Sequence, residues 1–402
     1  MRFRGTFPWN FTKEIVCVKI HEYQAKEVLA KYGVPIPKNS GVATTPQEAA
    51  AKVAALGGRG VIKAQVHSGG RGKAGGIKVA NSAAEAEQIA GQMLGMILKT
   101  HQAPQGIKVE KVLIEEPINI KLEYYLGIVP DRNTRRDIII VSAKGGMDIE
   151  AVAEEDPDAI AHLPIHPLEG VSDYELRRVC TDAKLDPAVI NKAAAVLRQL
   201  YNAYVGADGA LIEINPLAVT DDGRVLAADA KFQIDDAALF RHPEFAVYAE
   251  ESEEDEIEAE AHKHDIAYVR LGGDVGIICN GAGLTMATMD EVKRAGGNPA
   301  DFLDVGGGAQ AERVKTCLQI VLSDPNVKGV LINIFGGITR CDEVAKGVVT
   351  ATQSMEITVP LVVRLAGTRA EEGAAILAEA HLLPASTMQE AAAKIVALVN
   401  AA

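Results

Sequence analysis

Cysteine, aromatic residues, positive charge and long apolar runs are all scarce in this chain of 402 residues. Its five cysteines, Cys17, Cys180, Cys279, Cys317 and Cys341, are widely spaced, odd in number and without a CxxC pair. That excludes a disulfide framework and a zinc site, and it points to free thiols in a reducing compartment. No window approaches 18 consecutive apolar residues, so no membrane span is expected. Lys and Arg number 41 against 54 Asp and Glu, a formal net charge of −13, and eight of the acids crowd into 250–260. So acidic a chain is repelled by a phosphate backbone, and nucleic acid is not an expected partner. None of the nine histidines has metal-ligand spacing.

What is abundant is the material of buried strands and helices. Hydrophobic residues make up 48% with only 4% aromatics, and Ala, Val, Ile and Gly dominate. That mix predicts an α/β protein, and the length exceeds what one core serves. The first 18 residues, MRFRGTFPWNFTKEIVCV, lack the apolar core of a secretory signal and are expected to be a disordered or spurious extension. Three further segments are expected: a first domain over 19–249, an acidic connection over 250–264, and a second domain over 265–402.

In the first domain, a helix from His21 stops at Gly33, and a second helix follows Thr45-Pro46, with Thr45 as cap. A strand over Gly60 to Val66, a glycine-rich loop and a strand over Gly76 to Ala80 come next, then a helix opened by the capping-box pattern Ser82-x-x-Glu85. The loop contains Gly70-x-Gly72-x-x-Gly75, the spacing of a dinucleotide fingerprint. A Rossmann turn leaves a strand and enters a helix, whereas this loop joins two strands. A Walker A loop also fails, because Ala74 follows Gly72-Lys73 and His67 stands where its first glycine belongs. Two alternatives stay open: a plain exposed hairpin, or a flexible loop folding over phosphates with its amides and Arg71. Lys63, flanked by Ile62 and Ala64, favours the second; otherwise it is an exposed strand lysine.

A second constellation is Leu211 to Leu217, then Asp221-Asp222-Gly223, then Leu226 to Lys231. With a three-residue turn and Gly223 left-handed, Asn215 falls opposite Asp229 and Glu213 opposite Lys231, on one face, while Ile212 and Ile214 face the core. An amide oxygen beside a carboxylate suits Mg²⁺ that keeps waters and binds nucleotide phosphates; a cross-strand polar pair at an exposed edge is the other possibility.

From Asp274 onward strands and helices alternate, which predicts an open, doubly wound parallel sheet. Three glycine-rich loops, at Asn280-Gly281, at Gly306-Gly307-Gly308 and at Gly337-Ile338-Thr339, fall at the carboxyl ends of successive strands. One such loop would be a tight turn; three in series point to an anion site at helix N-termini.

These motifs, in order, carry a resemblance. The segments HEYQAKEVLAKYGVPIP, VIKAQVHSGGRGKAGGIKVA, LIEINPLAV, NGAGL, FLDVGGGA and INIFGGITRCDE make the chain, from about residue 19 to its end, resemble the β subunits of succinyl-CoA synthetases (succinate–CoA ligases). The resemblance implies an ATP-grasp fold followed by a flavodoxin-like CoA-ligase domain. It implies that Lys63, Gly70, Arg71 and Gly72 bind nucleotide phosphates, and that Glu115, Ile118 and Glu123 line the nucleotide site, partly through backbone. Asn215 and Asp229 would hold Mg²⁺, with Glu213 in support, and Asn280, Gly337, Ile338 and Thr339 would contact succinate or a related dicarboxylate.

The implied partner is an α subunit that binds CoA and bears a phosphohistidine, in an αβ or α₂β₂ assembly. Gly306, Gly307 and Gly308 would serve that phosphohistidine, and no catalytic residue is expected in this chain. The implied reaction is succinate, CoA and ATP to succinyl-CoA, ADP and phosphate, a step of the tricarboxylic acid cycle. Its expected place is the cytoplasm, or the mitochondrial matrix in a eukaryote. Thr339 replaces the valine common in the family, and its hydroxyl suits either a hydroxylated acid such as malate or local backbone. Pro37 resembles the ATP-using forms. The alternatives are a malate–CoA ligase subunit and a non-catalytic nucleotide-binding regulatory protein.

Overall fold

The computed structural model describes residues 17–245, 247–248, 255–306, 311–355 and 357–401. The chain divides into two compact units, Met1–Ser252 and Glu253–Ala402.

The first unit is built on two large antiparallel sheets, beside a two-stranded pair of Ile97–Leu98 with Ile107–Lys108. The smaller has four strands in the order Asn39–Ala43, Lys111–Glu115, Gly60–Gln65, Ile77–Ala80. The period of two decides its faces: Ile62, Ala64, Val112 and Ile114 pack on the helices Pro46–Ala55 and Ala83–Met93, so Lys63 and Glu115 project from the opposite face. Thr45 caps its helix as expected, accepting from Glu48 N. Ser82 likewise accepts from Glu85 N, but the Glu85 carboxylate accepts from Asn81 N, so the reciprocal half of the expected capping box is missing.

The larger sheet has seven strands, with the path Cys17–Ile20, Ala230–Asp235, Gly209–Thr220, Ile120–Asp131, Arg136–Ser142, Ile160–Pro164, and Val225–Ala227 paired off Gly209–Thr220. Cys17 and Val18, within the expected extension, already pair with Asp235 and Ile234; the rest of that extension lies outside the described residues. Helices Asp173–Asp182 and Ile190–Gly206 cover one face, and Ile212, Ile214, Phe232 and Leu126 meet Leu197 and Leu200 there.

In the second unit, six strands run in the order Ala267–Arg270, Asp301–Asp304, Val275–Cys279, Gly329–Gly336, Leu361–Gly367, Leu383–Ala385. All are parallel except Ala267–Arg270, an antiparallel edge that the alternating pattern did not announce. Ile278, Val330, Ile332 and Val363 enter one helix-covered core, and Ile277, Cys279, Leu331 and Val362 the other. This is the doubly wound arrangement, with both faces buried.

The acidic stretch is a connection only in part. Residues 249–254 lie outside the described residues, but Glu256–Lys263 is a helix of the second unit. Asp255 caps it by accepting from Ile257 N and Glu258 N, Glu256 and Glu258 occupy the first turn, and Ala261 is fully buried. Acids at a helix start favour the helix through its dipole, which charge density alone concealed.

Candidate functional site

The glycine-rich loop leaves the strand Gly60–Gln65 and returns on Ile77–Ala80, so it joins two strands as expected. Ala64 N donates to Gly76 O at 2.8 Å and Gly76 N to Arg71 O at 2.8 Å, which closes its base. Gly70 and Gly75 have φ of +74° and +82°, conformations that glycine adopts without the steric cost of a Cβ. Gly72 is exposed.

The hairpin Gly209–Asp235 has the expected register. Glu213 pairs with Lys231 and Leu217 with Ala227, Thr220 N donates to Arg224 O around the turn, and Gly223 has φ +79°. Asn215 and Asp229 therefore fall opposite each other, at the break between those two ladder segments. Asn215 is engaged: its Oδ1 accepts from Gly146 N at 2.7 Å and its Nδ2 donates to Met147 O at 2.8 Å. Glu213 Oε1 lies 3.5 Å from Asn215 Nδ2, and burial raises the Glu213 carboxyl against the pull of Lys231.

One cleft of about 1030 Å³ gathers these elements. Lys63, Gly70, Arg71 and Gly72 line it, as do Glu115, Ile118 and Glu123, together with Asn215 and Asp229. Arg59, Lys73 and Lys99 add positive charge to its wall.

In the wall of the cleft, three cations and three carboxylates interlock, Lys63, Arg71, Glu115 and Asp229 from its lining with Glu22 and Lys26 outside it. Lys63 Nζ lies 2.9 Å from Glu22 Oε1 and 2.7 Å from Glu115 Oε2. Arg71 does not reach over open space; it is 5% exposed, folded onto Glu22 Oε2 at 2.8 Å and onto both Asp229 oxygens at 2.7 and 2.8 Å. Lys26 Nζ joins Glu22 at 2.8 Å and Glu115 at 2.7 Å. Burial alone would raise the Glu22 carboxyl, yet Lys26, Lys63 and Arg71 hold it well below the usual carboxylate range. Burial would likewise lower Lys63, but Glu22, Glu115 and Asp229 raise it above an ordinary lysine. His67 is pushed down to about 3, by burial first and then by His21, Lys19 and Arg71, so it stands neutral.

The sequence reading assigned nothing to Glu22 and Lys26. A signal existed: they are spaced i,i+4 on the helix Glu22–Lys31, and both are buried with Ala25 and Leu29.

In the second unit, Asn280 spends both halves of its amide on one residue: Nδ2 donates to Phe335 O at 2.9 Å and Oδ1 accepts from Phe335 N at 2.8 Å. Asp304, also missed, accepts from Gly281 N at 2.6 Å and Gly306 N at 2.7 Å, tying two of the glycine-rich loops together. Gly337 and Ile338 are exposed beside them, Ile338 by 92%. Thr339 is 3% exposed, so the hydroxyl that separates it from valine is enclosed by protein. Gly307 and Gly308 lie outside the described residues.

Asn215 and Asp229 supply one amide oxygen and one carboxylate to the cleft. That set suits a hard cation taking its other ligands from water and phosphate. Among the described residues no group of three or more His, Cys, Asp or Glu could hold a metal by itself.

A family described as ATP-grasp domain matches residues 19–219, and one described as CoA-ligase matches residues 278–398. The succinate–CoA ligase [ADP-forming] subunit beta of Chloroflexus aurantiacus is 50% identical over 381 residues, 94% of this chain and 98% of that one. That of Bordetella pertussis is 50% identical over 387 residues, 95% of this chain and 100% of its own. The chain belongs to the family of succinate–CoA ligase β subunits. Family membership accounts for the order of its two units, an ATP-grasp fold and then a CoA-ligase domain. The fold is shared more widely: ATP citrate lyase from Methanothrix soehngenii, solved with citrate and coenzyme A, superposes with a TM-score of 0.70 at 20% identity, covering 96% of this chain and 100% of that one.

Proposed function

We propose that the chain is the nucleotide-binding subunit of an ADP-forming succinate–CoA ligase, acting with a CoA-binding α subunit that bears a phosphohistidine. The observation that carries this is the convergence of Lys63, Arg71, Asn215 and Asp229 on one cleft beneath a glycine-rich loop, in a chain half identical to such subunits over nearly its whole length.

The geometry supports a division of labour. Backbone amides of the loop around Gly70 and Gly72, with Lys63 and Arg71, would hold phosphate oxygens, and the segment through Glu115 and Ile118 would receive the rest of the nucleotide. Asn215 and Asp229 would hold Mg²⁺, which when bound neutralises phosphate charge and orients the transferred group. Because Asp229 is held by Arg71, the guanidinium must turn away from it before the carboxylate is free. In the second unit, exposed backbone at Gly337 and Ile338 beside Asn280 would receive the acid's carboxylate, and the loop at Gly306 would face the partner's phosphohistidine.

Four cysteines, Cys180, Cys279, Cys317 and Cys341, are free and buried, which supports a reducing compartment such as the cytoplasm. No helix among the described residues is long and apolar enough to cross a membrane. Co-expression with an α subunit and measurement of CoA- and succinate-dependent ADP formation tests the proposal. ADP formation is expected with succinate; its absence there, with turnover on malate, would overturn the substrate assignment.

A further inference from the structure

Lys63 and Lys26 reach for the same three acceptors. Lys63 Nζ contacts Glu22 Oε1 at 2.9 Å and Glu115 Oε2 at 2.7 Å, and donates to Ala228 O at 2.6 Å. Lys26 Nζ contacts Glu22 Oε1 at 2.8 Å, the two Glu115 oxygens at 2.7 and 2.8 Å, and Ala228 O at 2.8 Å. An ammonium has three protons, so Lys63 is saturated as it stands. Only Lys63 borders the cleft; Lys26 is 1% exposed and lies behind it.

A saturated lysine takes a phosphate only by withdrawing protons from acceptors it already serves. Were it the sole counter-ion, that withdrawal would leave buried carboxylates uncompensated, which is strongly unfavourable. Here it would not. With Lys63 turned to the cleft, Glu22, Glu115 and Ala228 O each keep Lys26.

We infer that Lys26 is a positioning residue for nucleotide binding: it never touches nucleotide, but holds the acceptors of Lys63 so that Lys63 is free to engage a phosphate. This rests on the nucleotide-binding role proposed above.

The test is the affinity for ADP, by calorimetry, of the full chain co-purified with its α subunit. Lys26→Met leaves Lys63 as the only cation on Glu115, and the Kd for ADP is expected to rise at least about tenfold. Adding Glu115→Gln removes the stranded charge, so Lys26→Met/Glu115→Gln is expected to bind ADP more tightly than Lys26→Met and within about twofold of Glu115→Gln alone. A role limited to holding the fold predicts the reverse, since a second buried substitution would add damage. Wild-type affinity in Lys26→Met, or a double variant weaker than Lys26→Met, overturns the inference. If Lys26→Met does not fold, the comparison of the double variant with Glu115→Gln decides, and a tenfold gap there overturns it. Failure of the unsubstituted complex to bind ADP would overturn the nucleotide role itself, and this inference with it.

Discussion

Glu22→Gln is the sharpest perturbation of the ionic cluster, because it removes one charge and hardly any volume. The Glu22 side chain is 2% exposed and meets Lys26 at 2.8 Å, Lys63 at 2.9 Å and Arg71 at 2.8 Å, with Gln65 Nε2 at 3.3 Å. Oε1 faces two ammonium groups and Oε2 faces a guanidinium, so the amide NH₂ of glutamine would point at a cation in either orientation. At this depth each attraction is worth several kcal/mol before desolvation is subtracted, and loss of one partner from a buried pair costs about 3–5 kcal/mol. The first unit of Glu22→Gln is therefore expected to lose about 3–5 kcal/mol in urea unfolding followed by circular dichroism. pH should mimic the substitution. Glu22 is held below its ordinary value of 4.5, so its stabilising contribution is complete above that pH and disappears as pH falls through its lowered value. Acid should thus erode the difference between the two proteins from the wild-type side. A loss under about 1 kcal/mol, or a difference that persists unchanged into acid, would refute the cluster as a source of the first unit's stability.

Asp229→Asn is expected to weaken the Mg²⁺ dependence of ADP binding while costing about 1 kcal/mol or less in stability, since its side chain is 34% exposed; an unchanged Mg²⁺ titration would remove the ligand assignment. Asp304→Ala leaves the amides of Gly281 and Gly306 without their acceptor and should cost about 1–3 kcal/mol, with a raised KM for succinate and an unchanged KM for ATP; parallel rises in both would contradict a local effect. Burial pushes Cys180, Cys279 and Cys317 up to about 12, so they remain protonated thiols at pH 8 and should resist iodoacetamide until the chain unfolds, as read by mass spectrometry; rapid native labelling would show that these sites open.

The strand–loop–strand setting of Gly70 to Gly75, the register that sets Asn215 against Asp229, and the strand ends bearing Asn280 and Gly337 were all legible, because each follows from a local period or turn. The helix Glu256–Lys263 was not, since its acids read as solvated charge until Asp255 is seen capping it and Ala261 is seen buried. The edge strand Ala267–Arg270 was missed for a similar reason: four residues gain strand character only from pairing with Asp301–Asp304.

By itself, the sequence determined which side chains carry charge, which turns need glycine and which strand faces are apolar, because those properties are covalent or recur over a few residues. Only the tertiary structure decided which groups Glu22 and Lys26 meet. Their partners Lys63, Arg71, Glu115 and Ala228 come from distant parts of the chain, and a charge reveals its role only when folding removes water and dictates its counter-ions.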